Sequence, residues 1–144
     1  MSTLPAWLSA GIRRAERERK ADNVARPMRA LLSQLARGEV HEYDGRPVMR
    51  MPEGGDRFAW CEIAPAIEGW CDCWSRISPE LSTYFLRALA SRLRDGSGVT
   101  PRLIDQAREE FDAHIKLIAT LPEGQIRSAI TTTQLAWEIE KCHP

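Results

Sequence analysis

Long apolar runs are missing from this sequence. None approaches the ~20 residues that a bilayer-spanning helix needs, which excludes a helical membrane protein. The first residues also lack the apolar region of a signal peptide. Trp7 and Leu8 are followed within a few positions by Arg13 and Arg14, so a cytoplasmic location is expected, with no membrane partner. Net charge is absent as well: 20 Lys and Arg balance 20 Asp and Glu, leaving no global field to steer the chain onto nucleic acid or a membrane. Catalytic signatures are missing. There is no Gly-x-Ser-x-Gly, no P-loop, no Gly-x-Gly-x-x-Gly and no His-Glu-x-x-His. Repeats and low-complexity tracts are absent too.

Cysteine is scarce, with four residues at Cys61, Cys71, Cys73 and Cys142, and reduced thiols are expected in the cytoplasm. Zinc sites commonly use Cys-x₂₋₄-Cys pairs on turns, whereas Cys71-Asp72-Cys73 falls in a helical stretch that sets the two thiols about 200° apart. Cys142-His143 sits at a fraying end. No metal and no cofactor are expected. A nucleophilic cysteine would need a base such as His41 or His114 brought close by the fold. Gly54-Gly55 is too short for a phosphate cradle, and Glu109-Glu110-Asp112 reads as a solvated helix face. No catalytic residue is assigned.

What is present is an ordinary globular mixture. The 144 residues fit one domain, with 43% apolar and 28% charged residues. Charge is nonetheless uneven: residues 1–37 hold eight Arg and Lys against three Asp and Glu, a net of +5, and residues 38–144 carry the compensating −5.

The pattern is mainly helical. Residues 5–20 read as a first helix opening at Pro5, with Trp7, Leu8 and Ile12 early and a basic run from Arg13 to Lys20. Pro27 disfavours helical geometry at Arg26 and predicts a break before a second helix carrying Met28, Leu31, Leu32 and Leu35 up to Gly38. Asp44-Gly45 then predicts a two-residue hairpin turn, with Val40 opposite Met49 and Glu39 opposite Arg50. Residues 52–57 read as a loop. From Phe58 onward the pattern is helical, with Ile63, Ile67, Trp70, Trp74 and Ile77 on one face. Ser78-Pro79 and Thr100-Pro101 each read as a cap followed by proline at the first helical position. The first opens a helix through Leu81, Phe85, Leu89 and Leu93, and the second opens one through Ile104, Ala107, Phe111, Ile115 and Ile118. A break at Leu121–Gly124 precedes a last helix with Ile126, Ile130, Thr133 and Trp137. The expected architecture is about six helices and one short β-hairpin: a basic helical arm over 1–37, a hairpin and loop over 38–57, and a helical unit over 58–144.

Two surfaces invite a binding role. The segment from Leu89 to Gln106 resembles a helix-turn-helix, in which Arg102 and Gln106 would reach base edges, although its connection is long and Asp105, Glu109, Glu110 and Asp112 would repel phosphates. A plain helical hairpin is the expected arrangement. The arm residues Arg13, Arg14, Arg17, Arg19 and Lys20 are the other candidate nucleic-acid contacts. Trp7 and Trp60 are candidate interface residues, and Trp70 and Trp74 are expected in the core. The leading expectation is a non-enzymatic accessory or regulatory protein, of bacterial, phage or mobile-element style, that binds another macromolecule. Protein comes first, a second copy of the chain included; DNA binding is the alternative, and a small enzyme is third.

Overall fold

The computed structural model describes residues 5–54, 57–122, 124–128 and 141–142, with side-chain surroundings outside 51–59 and 141–142. The chain is mainly α-helical, with a small antiparallel sheet. The elements run α1 (Ala6–Ala36), β1 (His41–Tyr43), β2 (Arg46–Gly54), β3 (Arg57–Glu62), α2 (Ile63–Ile77), α3 (Tyr84–Asp95), α4 (Pro101–Ile118) and β4 (Lys141–Cys142). The sheet order is β1-β2-β3-β4. Residues 124–128 are helical with Ile126 buried; Ile130, Thr133 and Trp137 lie outside the described residues.

α1 corrects the expected break at Pro27, because it is one helix of 31 residues with Pro27 inside. An interior proline costs roughly 3 kcal/mol. Continuity is worth more: Ala21, Val24, Ala25, Met28, Leu31, Leu32 and Leu35 recur at steps of three and one, a single stripe buried on both sides of the proline. Arg26 donates to Asn23 Oδ1 at 3.0 Å beside it.

The hairpin turn forms as expected, with Tyr43 paired to Arg46. Asp44 (φ 52°) and Gly45 (φ 76°) both take the left-handed backbone that a type I′ turn requires. The register is the expected one, but β1 begins only at His41, so the Val40–Met49 and Glu39–Arg50 pairs lie beyond the ladder. Glu39 instead binds Arg37 at 3.0 Å.

The expected loop at 52–57 and helix from Phe58 are both corrected. β2 runs on to Gly54 and β3 occupies Arg57–Glu62, pairing from Val48–Glu62 to Gly54–Arg57 with one irregularity. Phe58 and Trp60 stand at a spacing of two, suited to a strand. Pro65 also marks the helix boundary: proline is best accommodated in a first turn, and α2 begins two residues before it at Ile63.

α2 is the centre of the core. Ile63, Ile67, Trp70 and Trp74 are buried as one face, and Ala64, Ala66, Cys71 and Cys73 widen it. α3 and α4 form the expected helical hairpin. Its link is pinned by Gly96 in the left-handed region (φ 73°) and by Arg92 Nη1 donating to the Gly98 carbonyl at 3.1 Å. Thr100 Oγ1 caps α4 by accepting from Leu103 N at 3.1 Å.

Ser78-Pro79 does not open α3. Ser78 closes α2 by donating its N–H to the Trp74 carbonyl at 2.8 Å, and α3 starts six residues later, at Tyr84 after Thr83. Its cap comes from another helix.

Candidate functional site

That cap is Glu110 of α4. The expectation of a solvated carboxylate is corrected: Glu110 is only 8% exposed. One carboxylate oxygen accepts from Leu86 N at 2.9 Å, and the other accepts from Phe85 N at 3.2 Å and Ser82 Oγ at 2.9 Å. The first N–H groups of a helix have no partner within it, and a negative charge there also meets the positive end of the helix dipole. A buried carboxylate that meets three donors is thereby satisfied. Glu109 and Asp112 remain exposed as expected.

One turn along α4, His114 is 1% exposed. Its Nδ1 accepts from the Trp70 indole N–H at 3.0 Å, and its Nε2 contacts the Ser82 carbonyl at 2.5 Å. An indole N–H only donates and a carbonyl only accepts, so the imidazole is the neutral tautomer with its proton on Nε2. Burial pushes its pKa below the ordinary value, opposed by the Ser82 hydrogen bond and by Glu110. The Trp70 ring lies 5.1 Å from Phe111 and 5.6 Å from Trp74, centre to centre. Trp70, Ser82, Glu110 and His114 thus lock α2, α3 and α4 together. Every polar atom of the imidazole and carboxylate is engaged in holding the fold. Next to this junction, burial pushes the Cys71 thiol up to about 12, so it stays protonated at neutral pH. Sequence reasoning missed Glu110 and His114 as functional parts of the fold. Their signal was phase: both share the buried side of α4 with Ile104, Ala107, Phe111 and Ile118.

The second feature is the N-terminal half of α1. A 31-residue helix is roughly 46 Å long. No residue from Ala6 to Lys20 is buried, whereas seven are buried from Ala21 onward. Trp7 is 75% exposed, and Ile12 is exposed as well. Arg13, Arg14 and Arg19 are exposed, and Arg17 and Lys20 half-buried.

The other candidates are dispersed. Arg102 is exposed and Gln106 half-buried on α4, whose outer side alternates Arg102, Asp105, Arg108, Glu109, Asp112 and Lys116. That mixture offers no basic track. Trp60 is half-buried, its ring edge-on to His41 at 5.2 Å. Cys61, Cys71 and Cys73 are buried, and among the described residues no three His, Cys, Asp or Glu converge as metal ligands. No described helix is long and apolar enough to cross a membrane.

No family model matches the chain, and no curated protein or solved structure shows significant similarity to it.

Proposed function

We propose that the protein is a non-enzymatic, cytoplasmic interaction protein in which the core built by α2, α3, α4 and the sheet anchors the C-terminal half of α1 and presents the N-terminal half to another macromolecule. The observation that carries this reading is the change within a single helix. From Ala21 onward α1 is bound into the core, and over the fifteen residues before it nothing is buried. An isolated helix of that length is marginal in water, so the arm owes its order to the anchored half. A convex, exposed helix suits a large partner better than a small molecule, which would be held in a concave pocket. Exposed Trp7 supports the same reading, because tryptophan is enriched at binding hot spots.

Site-specific photo-crosslinking in the cells that make the protein tests it. A crosslinker replacing Ala10 on the arm is expected to capture a macromolecule, and one replacing Asp105 on the outer side of α4 is not. Capture from Asp105 with none from Ala10 would overturn the reading.

A further inference from the structure

The chemistry of the arm's partner follows from the direction of one helix face. Successive residues turn by 100°, so the buried stripe from Ala21 to Leu35 defines one side of α1. Continued toward the N-terminus at steps of three and four, that side carries Arg17, Arg14, Ala10 and Trp7, with Arg13 at its margin. The face keeps its direction and changes its chemistry, from aliphatic to guanidinium and indole.

Elsewhere, Arg29, Arg37, Arg46, Arg87 and Arg94 each hold a carboxylate. Arg13, Arg14 and Arg17 hold none among the described residues. Arg17 stands between a hollow lined by Arg13 and Glu16 and a groove of ≈ 630 Å³ between α1 and the end of α4. Arg14, Arg17 and Lys116 face that groove along with Glu18 and Asp22, and Asp22 is already bound by Arg29 at 3.4 Å.

A guanidinium that holds no carboxylate is open to another anion, and a phosphate supplies oxygens with a matching fork geometry. Trp7 lies seven residues from Arg14 on the same side and leaves its ring open. An acidic stretch of protein would pair with the arginines and need a separate apolar anchor for the indole, and a duplex keeps its bases stacked inside. A single strand presents phosphates together with unstacked bases, the two things this face is equipped to hold. We infer that this face of α1 binds single-stranded nucleic acid, with phosphates on Arg13, Arg14 and Arg17 and a base stacked on Trp7. The inference rests on the arm being the docking element.

Fluorescence anisotropy of the full-length protein with labelled (dT)20 tests it. Affinity should fall with salt at a log–log slope of about −2, three phosphates at ~0.7 each. Replacing Arg13, Arg14 and Arg17 together by Gln should weaken binding more than about tenfold and flatten that slope. Trp7→Ala should weaken it by about tenfold, the order of one lost base stack, while Trp7→Phe keeps most of the affinity. Trp7, Arg13 and Arg14 are exposed and Arg17 is outside the buried core, so circular dichroism of each variant should match the parent. Absence of (dT)20 binding in 50 mM salt overturns the inference. So does a duplex hairpin bound equally well with Trp7→Ala silent, or a polyglutamate peptide bound as tightly as (dT)20. In each of those cases crosslinking from Ala10 still reports whether the arm docks a macromolecule, so the two readings fail separately.

Discussion

The indole N–H of Trp70 meets Nδ1 of His114 at 3.0 Å inside the core, a donor facing the only nitrogen of the neutral ring that can accept it. Protonating His114 would set two donors against each other. Glu110, on the same helix, is the charged group that acts on the ring; α2 presents Trp70 and the protonated Cys71, and the segment before α3 presents the Ser82 carbonyl.

A pH dependence of stability follows. The unfolded chain takes a proton on this histidine near its ordinary value of 6.5, while the folded chain, with its pKa lowered by burial, resists it. Stability is therefore full above about pH 6.5 and declines as pH falls below it. Urea denaturation between pH 8 and 5.5 should show this decline, and His114→Phe should flatten it. An equal slope in the variant would refute the assignment.

The two core tryptophans should respond differently to loss of the indole nitrogen. Trp74 is 1% exposed and its Nε1–H has no acceptor among the described residues, so Trp74→Phe removes an unsatisfied donor and is expected to be neutral or stabilising. Trp70→Phe leaves a buried imidazole nitrogen unpaired, at a cost of ~1–3 kcal/mol. Truncating either residue to Ala should cost ~3–5 kcal/mol. Thermal and urea unfolding of the four variants checks the ranking.

Glu110→Ala strips the cap from α3 and should cost about 2–4 kcal/mol, since three donors lose a charged acceptor. Glu110→Gln keeps one acceptor oxygen and should cost less. Native-state hydrogen exchange supplies the local readout: protection should fall first at the Phe85 and Leu86 amides, which donate to this carboxylate.

Cys71 should be inert in the folded protein. With its pKa at about 12, little thiolate exists at pH 8, and its burial blocks access. Iodoacetamide labelling mapped by mass spectrometry should modify Cys71 only under denaturing conditions. Rapid labelling of the native protein would contradict the burial.

The features legible from sequence are those ruled by neighbouring residues. The Asp44-Gly45 turn depends on two backbones of positive φ, the Thr100 cap on a hydroxyl three residues before Leu103, and the α2 face on helical period alone. Pro27 misleads because a local preference competes with a stripe of seven buried side chains and loses. The strand at Arg57–Glu62 is hidden because its partner, β2, supplies the ladder from outside the segment. The start of α3 is hidden for a related reason: Ser78-Pro79 has the local look of a cap, but the groups that satisfy the helix belong to Glu110. On the arm, the legible sign was the basic run; that Trp7, Arg14 and Arg17 continue the line of the buried stripe shows only once α1 is known to be continuous.

The capping of α3 by α4 also orders events in time. A ribosome makes Ser82, Phe85 and Leu86 between 24 and 28 residues before it makes Glu110. Until then the nascent helix has an open end and no partner for its first amides, so it should flicker and not persist. α3 matures only when α4 arrives, and the pair then sets as one unit. A chain released just short of Glu110 would therefore lose the ordered start of a helix whose every residue it still contains.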